Sequence, residues 1–471
     1  MNNPDPNKLR LIPSVDSLLG DPEFKSLPDS VPQRLVVESV RITVEEFRKR
    51  LLAGTESEVD ENSLRQNILN QAKDRAQTLH RPAYRRAINA TGIILHTGLG
   101  RAVLPMAAVE QIGRELAGYS LLQIDPETGL RSRRDERIEW LLQQLTGCEA
   151  ATVVNNNAAA TAIVLNTVAK NKEVIVSRGQ LLEIGGAFRL PEVMAAAGAK
   201  LVEVGTTNKT HLRDYEAAIT ENTAAILRVH PSNYKIVGFT AEVELDRLVK
   251  LTHEKNLVLI DDVGAGALID YSQFGFEKEP TLPESVKSGA DLITSSADKL
   301  IGGSQGGLIL GKAKWVQAVR KNPFARIVRV GKLTLAALEA TLALFLDPDR
   351  ALREVPTLQL LMRPRDQLAS RAQRMAEELK RACPGLDLGV IDGFSQMGSG
   401  SLPGQNLPTR LVAIRSSDPP PGELARRLRL GDPPVVTRVH DDRILIDPRT
   451  LLDGEDTVVV EAVQKAVAHA A

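Results

Sequence analysis

Lys299 stands in TSSADKLIGGSQGGLILG, between small hydroxyl-bearing residues and a glycine-rich run. A lysine partly buried in such a turn has a depressed pKa and can attack an aldehyde, while neighbouring hydroxyls, Ser296 among them, can hold a phosphate. Upstream, VLIDDVGAGAL puts Asp261 and Asp262 at the carboxyl end of an apolar run. An acid there can keep a pyridine nitrogen protonated, which makes the ring an electron sink. Further upstream, ATVVNNNAAATAI reads as strand, polar turn and helix start. Its backbone N–H groups and the side chains of Asn155, Asn156 and Asn157 can cradle an anion. Taken singly, each feature has an ordinary reading: a turn lysine, a helix-capping acid, an N-cap asparagine. Together, in the order anion turn, acid, lysine on successive strands of one sheet, they point to pyridoxal 5′-phosphate as cofactor.

Two arginine features add to this set. Arg101 lies in the glycine-flanked loop of INATGIILHTGLGRAVL, and ARIVRVGKLT carries Arg326 and Arg329 three residues apart. If that segment is helical, both guanidinium groups share a face and form a fork for a phosphate-like substrate. Interdomain ion pairs account for the spacing equally well. His96 and His230 are both candidates to stack on the cofactor ring, and the sequence assigns neither. Cys148 and Cys383 have neither metal spacing nor a nearby base, so they read as packing residues, and no metal site is expected.

These residues need a scaffold. Apolar runs at AATVV, EVIVS, KLVEVG, AAILRVH, LVLIDD, DLITSS and GGLILG alternate with helical stretches such as NAAATAIVLNTVA and LDRLVKLTHEKN. That alternation predicts an α/β fold, an open and mainly parallel sheet covered on both faces, with ligands at the carboxyl ends of the strands. Residues 1–85 read as a helical amino-terminal domain, with helices in SVPQRLVVESVRITVEEFRKRLLAG and ENSLRQNILNQAKDRAQTLH. Residues 86–340 form the large catalytic domain. Residues 341–471 read as a small α+β carboxyl-terminal domain, from a helix near 365–382, the SSDPPPGE break and a strand pair in PPVVTRVHDDRILID.

Bulk properties narrow the class. The chain has 471 residues, 43% apolar and 25% charged, with zero formal net charge. This is an ordinary globular composition, so any nucleic acid must be met by a local patch. Two cysteines and no apolar leader or spanning stretch predict a cytoplasmic protein without membrane contact.

The series as a whole resembles one family: bacterial selenocysteine synthase, the L-seryl-tRNA(Sec) selenium transferases, among the fold type I pyridoxal phosphate-dependent transferases. The likeness runs nearly end to end, through LIPSVDSLL, INATGIILHTGLGRA, VVNNNAAA, IVSRGQLLEIGGAFRLPEVM, AKLVEVGTTNKTHLRDYE, VHPSNYKIVGFTAEV, SADKLIGGSQGG, RVGKLTLAALEATL, GSGSLPGQNLPT and GDPPVVTRVHDDRILIDPRTL. It implies that Lys299 forms the internal aldimine, that Asp262 pairs with the pyridine nitrogen, and that Asn155, Asn156, Asn157 and Ser296 hold the cofactor phosphate. It also implies a selenophosphate site at Arg101, Arg326 and Arg329. Asp298, Thr206, Thr207 and Tyr234 match contacts between dimers in a ring-shaped homodecamer. The implied reaction turns serine on selenocysteine tRNA into selenocysteine by way of an aminoacrylate, with the amino-terminal helices gripping the tRNA. Departures from the family pattern fall at Gly98, Leu130, Ser132 and Ser304 and bear on substrate positioning. Two alternatives stay open: a lyase acting on a small phosphorylated amino acid or amino sugar acid, and a non-catalytic RNA-binding relative.

Overall fold

The computed structural model describes residues 9–27, 30–53, 60–186 and 188–468. The chain divides into two compact units, Met1–Arg86 and Ala87–Ala471. In the first unit, α1 (Gln33–Leu52) and α2 (Glu61–His80) lie antiparallel, since Glu46 pairs with Arg75 at 2.6 Å while Arg50 donates to Gln71 at 3.2 Å. Asp60 caps α2 by accepting from the N–H groups of Asn62 and Ser63. Val40, Val44, Phe47 and Leu51 of α1 pack with Leu64, Ile68 and Leu69 of α2. No helix among the described residues is long and apolar enough to cross a membrane.

The second unit is built on a seven-stranded sheet. Its strands are β1 (Ala150–Val154), β2 (Glu173–Ser177), β3 (Lys200–Val204), β4 (Thr223–Val229), β5 (Val258–Gly264), β6 (Leu292–Ser296) and β7 (Gly307–Gly311). Their order across the sheet is β1-β7-β6-β5-β4-β2-β3. All pairings are parallel except those of β7, which runs antiparallel to β1 and β6. The carboxyl ends of β1, β4, β5 and β6 therefore share one edge of the sheet, where an open α/β sheet collects its ligand. Apart from the edge strand β3, where Lys200 and Glu203 are exposed, the strands are largely buried, as expected of strands covered on both faces. Helix α3 (Asn157–Ala169) follows β1 and buries Ile163, Val164 and Leu165 against one face.

The return from β6 to β7 is tight. The Gly302 N–H donates to the Lys299 carbonyl at 2.9 Å, which closes a turn on the lysine. Gly307, which opens β7, lies so close to the turn after β1 that a Cβ there would sit 2.1 Å from the Asn156 carbonyl oxygen. Gly307→Ala is therefore expected to lower stability by about 1–3 kcal/mol, read as a lower denaturant midpoint at unchanged m-value.

A second sheet holds β8 (Asp387–Gly398), β9 (Ser401–Arg415), β10 (Arg438–His440) and β11 (Arg443–Ile446) in the order β8-β9-β11-β10. Helices α4 (Arg365–Ala382), α5 (Pro421–Leu430) and α6 (Glu455–Ala468) cover it through Met375, Leu424 and Val459. The long β8–β9 hairpin is absent from the sequence reading. Pro403, Pro408, Gly389 and Gly393 all lower strand propensity. The structure tolerates them because β11 pairs only with Val412–Ile414, leaving the first half of β9 with β8 as its sole neighbour in the sheet. The hairpin turns through Gly398, Ser399 and Gly400, all at positive φ.

Candidate functional site

The strand ends β1, β4, β5 and β6 surround a cavity of about 550 Å³ lined by Arg101, Asn156, Asn157, His230, Asp262, Ser296, Asp298 and Lys299 among others. Lys299 is only 7% exposed. Burial holds its amine below the usual lysine range; Asp298 opposes this, Arg101 adds to it and Asp262 opposes it. The amine therefore gives up its proton more readily than a surface lysine.

Asp262, near the end of β5, is buried and accepts three hydrogen bonds. Asn157 Nδ2 donates to Oδ1 at 2.9 Å, the Gly264 N–H donates to the same oxygen at 3.2 Å, and Thr161 Oγ1 lies 3.0 Å from Oδ2. Burial raises the pKa of its carboxyl, with Asn157 and Thr161 pulling it back down. Asp261, one residue earlier, points to the other side of the strand and is held by Arg228 at 2.8 Å and Ser285 at 2.7 Å. The acid pair thus divides into a structural member and a cavity member.

The turn after β1 separates the three asparagines. Asn156 caps α3 by accepting from the Ala159 N–H at 2.9 Å. Asn157 turns to Asp262, and its Oδ1 is buried without a partner among the described residues. Asn155 is exposed and lies outside the cavity lining, its N–H bound to the Val328 carbonyl at 2.9 Å. Ser296 lines the cavity where β6 ends. Arg101, at a φ of 65°, donates to Asp298 at 2.6 Å. Asp298 thus lies inside the cavity as the partner of Arg101.

Arg326 and Arg329 line a neighbouring cavity of about 580 Å³ with Arg131 and Arg134. The helix there covers Phe324–Ile327 and stops before Arg329, so the two arginines do not share a helical face. The Arg134 guanidinium is held below its usual range by burial and by Arg329 and Arg326. Thr206, Thr207 and Tyr234 line a third cavity, of about 360 Å³, whose wall includes His230. At the positions that depart from the family pattern, Ser304 Oγ donates to the Thr334 carbonyl at 2.9 Å and Leu130 is exposed.

Two residues of the site escaped the sequence reading, one behind Asp262 and one in the cavity wall. Thr161 follows Asn157 by one helical turn on α3, so an i, i+4 search from the anion turn would have found it. Ser399 reaches the cavity from the tip of the β8–β9 hairpin, where its hydroxyl bonds to the Leu95 carbonyl at 2.6 Å and lies 2.9 Å from Thr97 Oγ1. No local signal in the sequence joins residue 399 to residue 97.

Residues 87–452 match the L-seryl-tRNA selenium transferase family, and residues 9–48 match the selenocysteine synthase amino-terminal family. The chain belongs to the L-seryl-tRNA selenium transferase family. It is 44% identical over 462 residues to the L-seryl-tRNA(Sec) selenium transferase of Alkaliphilus metalliredigens, covering 97% of this chain and 98% of that one. Against the protein of the same name from Nitratidesulfovibrio vulgaris it is 45% identical over 467 residues, with the same coverage. As a member of this family the chain is an enzyme of the transferase class. Among solved structures, D-glucosaminate-6-phosphate ammonia-lyase shares the fold with a TM-score of 0.56 at 21% identity, covering 84% of this chain and 98% of that one. The architecture is that of fold type I pyridoxal phosphate enzymes.

Proposed function

We propose that this selenium transferase converts L-seryl-tRNA(Sec) to L-selenocysteinyl-tRNA(Sec), with pyridoxal phosphate as cofactor and selenophosphate as selenium donor. The observation that carries the reading is the meeting of Lys299 and Asp262 in one cavity at the sheet edge, in a chain that matches its relatives along almost its full length. The residues suit the cofactor. Asp262 is a buried carboxyl in need of a cationic partner such as a protonated ring nitrogen, and Asn157 Oδ1 is a buried acceptor still unmatched. Pyridoxal phosphate supplies an aldehyde for the serine amine and a ring that takes up the electron pair left at Cα.

The chain's own groups do the rest. Asp262 holds the proton on the ring nitrogen. The N–H groups opening α3 and the hydroxyl of Ser296 hold the phosphate, with Asn155 and Asn156 shaping the turn. Lys299, its amine made easier to deprotonate by burial, takes the proton from serine Cα and returns it at the end. Arg101 meets the donor anion in the cavity, where Asp298 fixes its guanidinium. Arg326 and Arg329 supply the cationic wall of the adjoining cavity, whose mutually repelling arginines favour an anion between them. The amino-terminal unit grips the tRNA, and Thr206, Thr207 and Tyr234 form the contact through which dimers build a decamer.

The test is to incubate the purified, cofactor-loaded protein with seryl-tRNA(Sec) and selenophosphate and to separate the aminoacyl products. Selenocysteinyl-tRNA is expected, together with preference for selenocysteine tRNA over ordinary serine tRNA in binding. Absence of that product, with ammonia release from a phosphorylated amino acid or amino sugar acid instead, would establish the lyase.

A further inference from the structure

His230 stands between two cavities. It lines the one that contains Lys299, and it also lines the 360 Å³ cavity that contains Glu279. Its backbone N–H donates to the Asp262 carbonyl at 2.9 Å, which ties the residue to the end of β5. Nδ1 of the ring is buried and has no hydrogen-bond partner among the described residues, and Oε2 of Glu279 lies 3.7 Å from it. Glu279 is 6% exposed, and its carboxyl makes no other polar contact among the described residues. A largely buried acid and a buried imidazole nitrogen with no partner among the described residues lie 3.7 Å apart, a gap that a small side-chain movement closes.

We propose that Glu279 is a positioning residue for the reaction: it fixes the tautomer of His230 and so sets whether that ring offers the Lys299 cavity a proton or a lone pair. The inference rests on the functional reading above. A neutral imidazole carries one proton on one of two nitrogens. A protonated Glu279 donates to Nδ1 and leaves the proton on Nε2, so the ring gives a hydrogen bond. An ionised Glu279 accepts from Nδ1–H and leaves Nε2 bare, so the ring takes one.

The surroundings support this exchange near neutral pH. Burial holds His230 down at about 4, aided by Arg228 and opposed by Asp261, so the ring stays neutral. Burial pushes Glu279 up to about 7, with Glu277 adding to the rise and Lys235 opposing it. Lys235 and Glu277 pair with each other at 2.5 Å, and Glu242 and Glu244 face the same cavity. Lys278, next in the chain, is engaged by Glu284 at 2.6 Å.

Glu279→Gln and Glu279→Leu test the idea in the full-length, cofactor-loaded protein. The wild type is expected to show an inflection near pH 7 in kcat and in the visible absorbance titration, matching the Glu279 carboxyl at about 7. Glu279→Gln keeps the shape and does not titrate, so both inflections disappear while thermal stability stays that of wild type. Glu279→Leu lowers kcat by about tenfold with KM for seryl-tRNA within about twofold, because the ring still packs while its tautomer is no longer held. An inflection that persists in Glu279→Gln overturns the proposal, as does a wild-type kcat in Glu279→Leu. The absorbance titration needs neither tRNA nor selenium, so it reads Glu279 even if selenium transfer fails. If the leucine variant does not fold, the glutamine variant decides alone.

Discussion

Lys299→Ala is expected to abolish the visible absorption of the cofactor-loaded protein and to reduce turnover by about 10⁴-fold. Lys299 is assigned two duties, the covalent hold on the cofactor and the proton transfer at serine Cα, and alanine removes both. Lys299→Arg refines the result. Arginine keeps the positive charge beside Asp298 and Asp262 but does not deprotonate, so it cannot act as nucleophile or base. Both variants are expected to lose turnover alike while arginine retains more thermal stability. Absorption that survives in Lys299→Ala would place the cofactor on another residue and would overturn the assignment.

The second large effect belongs to Asp262. Asp262→Asn retains the volume and an oxygen for Asn157 and Gly264, whose bonds to Oδ1 are 2.9 and 3.2 Å. It removes the negative charge that keeps a ring nitrogen protonated. Turnover is expected to fall by about 10²–10⁴-fold with the cofactor still bound, measured by single-turnover kinetics and absorption. Asp261→Asn provides the contrast. That side chain serves Arg228 and Ser285 behind the strand, so its loss is expected to appear in the melting temperature while kcat of the folded protein is preserved. Equal kcat losses in the two variants would remove the division between the paired acids.

The strands of the large sheet are legible in the sequence because short apolar stretches, such as VLI before Asp262 and LILG after Gly307, alternate with helical segments. α1 and α2 are legible from helical periodicity, and α3 from its place between two strands after the polar NNN turn. What the sequence hides is what depends on distance along the chain. Asn155, Asn156 and Asn157 are adjacent, yet only the last two line the Lys299 cavity. Arg326 and Arg329 look like a fork for the same anion as Arg101, and the helix end at Ile327 sends them to a cavity of their own. The β8–β9 hairpin is masked by prolines and glycines that an incompletely paired strand can bear. Thr161 was within reach of a helical-spacing argument, whereas Ser399 was not.

That hairpin also governs when the pocket can exist. The N–H groups of Ile94 and Leu95 donate to the carbonyls of Gln396 and Met397 at 3.0 and 2.7 Å, and the Ser399 hydroxyl completes the junction. Pairing across some three hundred residues is among the slowest contacts a chain makes. On a ribosome, all strands of the large sheet emerge before residue 396 does. The nascent protein therefore carries Lys299 in an unfinished wall, and the cavity gains its full enclosure only after residue 400 of the 471 has been made.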